Sequence, residues 1–397
     1  GTTAAAGIGI DRAAARRADL TGHRIEDLLE NGQVASARRR LAGYEIDDAA
    51  VLKDEDDVGA TNGRQTVGVD DARAPRHEMA ERVERYGSTY AVAVLRAGEI
   101  IGERYAGALP HFDRPAEPVG PHTPLLSWSV AKSVLHACVG VLVGEGRLDV
   151  DAPVGAPEWA ERDDPRAAIT IEHLLAMRDG LAFTEDYVDA GVSDVIEMLF
   201  GAGRADVARF AADRPLVHAP GVHFNYASGA SNIVARAVGA IVGPGADTEE
   251  WVRAALFDPL GMSSATIRLD PAGTFIASSY VYATARDWLR FGACYLHDGI
   301  VDGRRVLPAG WADHGWRLRS VDSESGTPYG AHWWGLPGTG PEARYAGGYA
   351  GQRVVVCPAS DLVIVRFGAS EADHYPAIAR WCRRVIAAVG PATKVRP

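Results

Sequence analysis

Apolar and polar positions first fall into a strand-like rhythm at Tyr90. Ala91-Val92-Ala93-Val94-Leu95 and Ile100-Ile101-Gly102-Glu103-Arg104-Tyr105 flank Arg96-Ala97-Gly98. Two short apolar runs around a glycine-bearing turn predict a β-hairpin. The pattern returns near the C-terminal end, where Arg353-Val354-Val355-Val356-Cys357 and Leu362-Val363-Ile364-Val365-Arg366-Phe367 flank Pro358-Ala359-Ser360-Asp361. A helix over about residues 375–389 follows this second hairpin. Between the hairpins the apolar spacing is mostly helical, over residues 130–144, 171–178, 192–200, 230–241 and 248–257. Strand pairs from both ends with helices between them predict an α+β fold, an antiparallel sheet flanked by helices with an inserted, mostly helical domain. The expected partition is an N-terminal extension over 1–84, a sheet domain formed by 85–127 with 265–397, and a helical domain over 128–264. The extension is rich in Ala, Arg and Asp, with one amphipathic helix expected near 25–41.

Composition narrows the function classes. The chain has 397 residues, 47% hydrophobic and 23% charged, the profile of a globular protein. Its 41 basic and 52 acidic residues give a net charge of −11. The densest charge run, Asp54-Glu55-Asp56-Asp57, would repel phosphate, so nucleic acid is not an expected partner. The longest apolar stretch, 133–146, falls short of the ~20 residues that span a bilayer and reads as a buried helix, so no membrane association is expected. Cys138, Cys294, Cys357 and Cys382 lack metal or redox spacing and sit among apolar neighbours, which predicts buried thiols in a reducing compartment. No basic-then-apolar leader is visible over 1–30, and the expected location is cytoplasmic; a start at Gly1 rather than Met leaves removal of an export signal open. Gly7-Ile8-Gly9-Ile10-Asp11-Arg12 lacks the third glycine of a dinucleotide loop, and no Gly-x-Ser-x-Gly elbow occurs. His77-Glu78 has no histidine at 81, and the twelve histidines show no ligand spacing. No cofactor and no metal are expected.

One lysine changes the picture. The chain uses Arg almost wherever it needs a positive charge, and lysine occurs only as Lys53, Lys132 and Lys394. Lys53 and Lys394 occupy natural solvent positions, the acidic run and the C-terminal tail. Lys132 instead heads Val130-Ala131-Lys132-Ser133-Val134-Leu135-His136-Ala137-Cys138-Val139, apolar nearly all round and therefore a buried helix. Ser129 stands three residues earlier, on the same helix face. A serine hydroxyl is unreactive until its proton has an acceptor. A lysine can accept it once burial lowers the amine pKa, a freedom arginine lacks. Ser129 also lies at a helix start, where free N–H groups favour a developing oxyanion. The alternative is a lysine whose head snorkels to solvent from the first turn.

A second proton carrier is offered by Pro220-Gly221-Val222-His223-Phe224-Asn225-Tyr226-Ala227-Ser228, a turn-rich stretch ending just before a helix. Tyr226 reads either as packing or as chemistry. Ser129-Val130-Ala131-Lys132, then Tyr226-Ala227-Ser228, then Ala346-Gly347-Gly348-Tyr349-Ala350-Gly351-Gln352 entering a strand together resemble the serine hydrolases of the class C β-lactamase and penicillin-binding-protein family. Ser127-Trp128-Ser129-Val130-Ala131-Lys132-Ser133 and Gly351-Gln352-Arg353 are most similar to the branch of 6-aminohexanoate-dimer hydrolases and carboxylesterases. The resemblance covers about residues 85–390. It implies a β-lactamase-like fold with the active site between the sheet and helical domains. Ser129 would be the acylated nucleophile, Lys132 its base, and Tyr226 the proton shuttle to the leaving group and later to water. The N–H groups of Ser129 and Tyr349 would form the oxyanion hole.

The departures from the family pattern point to substrate. Ser228 replaces the usual Asn of Tyr-x-Asn, and Ala346-Gly347-Gly348 replaces a motif that carries Lys or His and a hydroxyl. Those groups grip the carboxylate of a β-lactam or stem peptide, so their loss disfavours both and leaves linear amides and esters. Ser228, Gly347 and Gly348 are the expected substrate-binding positions of these motifs. Tyr187, in Phe183-Thr184-Glu185-Asp186-Tyr187, is the lid tyrosine the resemblance implies, or else a surface aromatic. Trp333, in Tyr329-Gly330-Ala331-His332-Trp333-Trp334-Gly335, reads as an acyl-pocket wall or as packing beside the sheet. The expectation is a serine hydrolase taking a small amide or ester through an acyl-Ser129 intermediate, with a homodimer one assembly open to it. An acyltransferase on the same scaffold, and a binding or sensor module without turnover, are the competing functions.

Overall fold

A computed structural model describes residues 86–110, 115–187 and 192–392. The extension over 1–84, its helix near 25–41, the acidic run, Lys53 and Lys394 lie outside the described residues. The chain divides into two compact units, 1–43 with 109–117, and 44–108 with 118–397. Everything described below belongs to the second.

Both expected hairpins form. β1 (Ser88–Arg96) and β2 (Glu99–Tyr105) are joined by Ala97 and Gly98, which take φ 49° and 78°. Two consecutive left-handed residues make the turn whose twist suits a hairpin. Toward the C-terminus come β3 (Ser320–Val321), β4 (Pro328–Tyr329), β5 (Trp334–Gly335), β6 (Arg344–Gly348), β7 (Gln352–Cys357) and β8 (Leu362–Ala369). They form one sheet in the order β3-β4-β5-β6-β7-β8-β1-β2, every pairing antiparallel. The two hairpins join through β8 and β1, where Val92 pairs with Arg366 and Val94 with Ile364.

Both faces of this part of the sheet are covered, which is why β7 and β8 read as continuous apolar runs and not as alternation. On one face α4 (Tyr375–Val389) buries Ile378, Trp381, Cys382 and Val385 against Val94, Val355 and Ile364. On the other, α3 (Ala285–Leu296) comes so close that a Cβ on Gly292 would lie 2.4 Å from the Val363 side chain. α1 (Ala131–Gly144) is buried from Ala131 to Leu142, and α2 (Ser228–Val242) packs on it. The helix expected over 171–178 stops at Leu175. Met177 then takes φ 56° and Gly180 φ 83°, so the chain turns there and cannot extend the helix. The four cysteines are free and buried. Among the described residues no helix is long and apolar enough to cross a membrane.

Candidate active site

The site begins where the chain turns into α1. Ser127 is fixed by backbone bonds on both sides: its N–H donates to the Val281 carbonyl at 2.9 Å, and its Oγ accepts from the Val281 N–H at 3.2 Å. Trp128 then takes φ 47°, a left-handed conformation costly for a bulky residue and persisting only where the surroundings impose it. Ser129 follows in the helical turn Trp128–Val130. First-turn N–H groups have no intrahelical acceptor, so the Ser129 amide is free of the helix ladder.

Lys132 is 1% exposed, which rules out snorkelling. Its Nζ donates to Ser129 Oγ at 2.9 Å, to Ser228 Oγ at 3.1 Å and to the Ser278 carbonyl at 2.9 Å. Each partner comes from a different part of the chain. Ser228 is the first residue of α2, and Ser278 is held by Asn232 of the same helix, whose Oδ1 accepts its N–H at 3.1 Å. Burial lowers the Lys132 pKa to about 8, against an opposing pull from the Glu185 carboxylate. The amine is therefore poised to lose a proton near neutrality. His332 caps this turn from behind: its Nδ1 meets the Lys132 carbonyl at 2.8 Å, and burial lowers its pKa to about 3, keeping the ring neutral.

Tyr226 arrives on the loop before α2. Asn225 anchors that loop by donating its N–H to the Met177 carbonyl at 2.9 Å and its side-chain amide to the Phe183 carbonyl at 3.0 Å. Burial, reinforced by Glu185 and opposed by the nearby Ser129 side chain, raises the Tyr226 pKa well above the ordinary value. It is a neutral phenol, able to donate. The ring stands 5.3 Å from that of Trp334, and Lys132 Nζ lies 5.0 Å from its centroid.

β6 closes the opposite wall. A Cβ on Gly348 would lie 2.4 Å from the Ser127 carbonyl oxygen, so the absence of a side chain lets the strand reach the turn that carries Ser129. Gly347 is different: a Cβ there would meet the Tyr345 ring at 2.7 Å. The chain then turns at Tyr349–Gly351, with Ala350 at φ 59°. Buried Arg366 on β8 fixes this turn, donating to the Ala350 and Gly351 carbonyls at 3.1 Å each. It also reaches Ser88 O, Thr89 Oγ1 and Ser370 Oγ. The Tyr349 ring packs edge-on against Trp128 at 5.5 Å and tilted against Tyr187 at 5.0 Å.

Three expected site residues, Ser129, Lys132 and Tyr226, thus converge, and Gly348, Tyr349 and Tyr187 border them. Two differ from expectation. Ser228 is 1% exposed, its hydroxyl donating to Glu185 Oε1 at 2.6 Å and accepting from Lys132, so its hydroxyl is committed to these two side chains. Trp333 is fully buried, among Phe291, Tyr295 and Trp316. It is core, and its half-buried neighbour Trp334 stands at the site instead. Glu185, Ser278 and Arg366 were not singled out by the sequence. Glu185 lies two residues before Tyr187, and no spacing marks it.

Comparison with known proteins gives the family. The family model described as Beta-lactamase matches residues 76–385. The 6-aminohexanoate-dimer hydrolase of Paenarthrobacter ureafaciens is 30% identical over 331 residues, 77% of this chain and 79% of that protein. Among solved structures, a penicillin binding protein from Bacillus halodurans superposes with TM-score 0.60 at 18% identity, over 76% of this chain and 98% of that one. A family VIII carboxylesterase superposes with TM-score 0.59 at 15% identity, over 78% and 96%. The chain belongs to the beta-lactamase family and has its α+β fold. Within that family it is an enzyme of the serine hydrolase type.

Proposed function

We propose that this enzyme hydrolyses linear amides or carboxylic esters through an acyl-Ser129 intermediate. The observation that carries the reading is the buried Lys132 amine, 2.9 Å from Ser129 Oγ with its pKa lowered to about 8. Neutral Lys132 takes the Ser129 proton as Oγ attacks the substrate carbonyl. The resulting oxyanion is received by the N–H groups of Ser129 and Tyr349, each in the first turn of a short helix. Tyr226, a neutral phenol whose ring centroid lies 5.0 Å from Lys132 Nζ, donates its proton to the leaving amine or alcohol and is reprotonated from the Lys132 ammonium. Water then attacks the acyl-enzyme; its proton passes to Lys132, and Ser129 leaves protonated.

Linear substrates are favoured over β-lactams by the wall at β6. Ala346 and Gly347 offer neither a cation nor a hydroxyl to a ring carboxylate, and the space beside Gly347 is taken by the Tyr345 ring. What borders the nucleophile is aromatic: Trp128, Tyr187, Tyr226, Trp334 and Tyr349. Such walls suit an apolar acyl chain. The test is a panel of a short p-nitrophenyl ester, the linear dimer of 6-aminohexanoate and a chromogenic cephalosporin. Turnover of the ester or the linear amide with little on the cephalosporin is expected; a preference for the cephalosporin would contradict the assignment.

A further inference from the structure

Glu185 takes no part in the acyl transfer just described, yet its carboxylate is tied into the site from three directions. Its Oε1 accepts from the Ser228 hydroxyl at 2.6 Å and from the Tyr187 hydroxyl at 2.5 Å, and its Oε2 accepts from the Ser228 N–H at 2.8 Å. A count of hydrogens gives this arrangement a consequence. A neutral lysine amine has two N–H bonds and one lone pair. Of its three partners, the Ser278 carbonyl can only accept. The Ser228 hydroxyl could accept, or could donate its single hydrogen into the lysine lone pair and block it. The carboxylate, which can only accept when ionised, removes that freedom by drawing the Ser228 hydrogen to itself. Ser228 is left an acceptor toward Lys132. Both amine hydrogens are then committed to Ser228 and Ser278, and the lone pair has one direction remaining, toward the Ser129 hydroxyl.

We propose that Glu185 is a positioning residue that orients the Lys132 lone pair on Ser129 by fixing the donor direction of Ser228. The inference rests on Ser129 and Lys132 being nucleophile and base. Glu185 has a second, electrostatic effect: its charge partly offsets the burial that lowers the Lys132 pKa. The other groups facing the amine are Tyr226, held neutral by burial, and His332, neutral above pH about 3. Neither titrates near neutrality, so Glu185 is the charge that opposes burial in setting where Lys132 deprotonates.

The test compares wild type, Glu185→Gln, Ser228→Ala and the double variant, with Ser129→Ala as reference. Each is assayed for kcat/KM against pH with a p-nitrophenyl acyl ester, and its folding is followed by thermal melting. The Ser228 N–H and hydroxyl meet different oxygens of Glu185. Glutamine keeps only one oxygen and puts an NH2 donor in the other place, so in this geometry Glu185→Gln either opposes two donors or turns the Ser228 hydrogen onto Lys132. Its plateau kcat/KM is expected to fall at least ~10-fold, the effect of one misdirected hydrogen bond at the reacting base. Its acid limb is expected to move down by ~0.5 pH unit or more, because the charge holding the Lys132 proton is gone. Ser228→Ala keeps Glu185 but loses the oriented acceptor, so it tests the relay independently and should slow turnover comparably. The double variant should be no slower than the slower single variant, since the orienting effect passes through one hydroxyl. An unmoved acid limb in Glu185→Gln, near-normal rates in Ser228→Ala, or losses that multiply in the double variant would each overturn the inference. Should Ser129→Ala retain wild-type turnover, the nucleophile assignment itself fails. That outcome is distinct from an inactive Ser129→Ala with an indifferent Glu185→Gln.

Discussion

Gly348 has no room for a side chain, because a Cβ there would lie 2.4 Å from the carbonyl oxygen of Ser127. This contact sets the distance between β6 and the turn that carries Ser129. Backbone cannot swing aside as a side-chain end can, so Gly348→Ala must push β6 from Ser127 and carry Tyr349 with it. The φ of −131° at Gly348 suits alanine, so the cost falls on this contact and not on conformation. Acylation is expected to slow at least ~10-fold. Gly347→Ala meets ring atoms of Tyr345 and Trp334 instead, which can yield, and should be milder. Burst kinetics of both variants check the order; equal effects would contradict this account of the wall.

Catalysis should depend on pH through Lys132. Only the neutral amine can take the Ser129 proton, and the Lys132 pKa is lowered to about 8. Below that value kcat/KM is expected to fall tenfold per pH unit, with a half-maximal point near 8. A pH–rate profile with a substrate that does not ionise over this range reads the limb directly. A flat profile from pH 6 to 9 would remove Lys132 as the base.

The same burial carries a stability cost. A folded-state pKa of about 8 against an ordinary 10.5 corresponds to a penalty on the order of 3 kcal/mol for keeping the ammonium folded. Because the folded value is depressed, the penalty is fully present below pH about 8 and disappears as pH rises toward 10.5. Lys132→Met is therefore expected to abolish turnover and yet raise the melting temperature by a few degrees at pH 6.5, the gain shrinking at pH 10. Thermal melts at the two pH values check the sign.

Arg366 is the converse case, a buried charge with many partners. It is 2% exposed, and its guanidinium serves the carbonyls of Ala350, Gly351, Tyr86 and Ser88. Arg366→Met strands these acceptors and frees the Tyr349–Gly351 turn. A loss of roughly 3 kcal/mol or more is expected, measurable by denaturant unfolding. The folded fraction should also show a lower kcat, since the Tyr349 amide loses its support.

Much of this molecule is written locally in the chain. The two hairpins carry their own turns, and the burial of α1 is evident from its all-round apolar surface. Ser129 and Lys132 share one helical turn, so their meeting follows from spacing alone. Other parts depend on approaches that spacing does not encode. Ser278 reaches Lys132 from 146 residues away, and Glu185 reaches Ser228 from 43. Trp333 and Trp334 show a subtler limit. Neighbours at a strand edge face opposite ways, and a one-residue choice decides which indole enters the core. Here Trp334 pairs with Tyr345 and stands beside Tyr226, while Trp333 is left to the interior. Ser228 is read from the sequence as a substrate-binding position, and the structure instead ties its hydroxyl to Lys132 and Glu185.

The central claim, that Ser129 is acylated and Lys132 activates it, is tested most directly by intact-protein mass after seconds of exposure to a short p-nitrophenyl acyl ester, with p-nitrophenol release followed in parallel. Wild type is expected to show a burst of one equivalent and a transient mass gain of one acyl group, mapped by proteolysis to the peptide bearing Ser129, with both signals absent in Ser129→Ala and Lys132→Ala. An acyl adduct that persists in Ser129→Ala, or one mapped to another residue, would contradict the account.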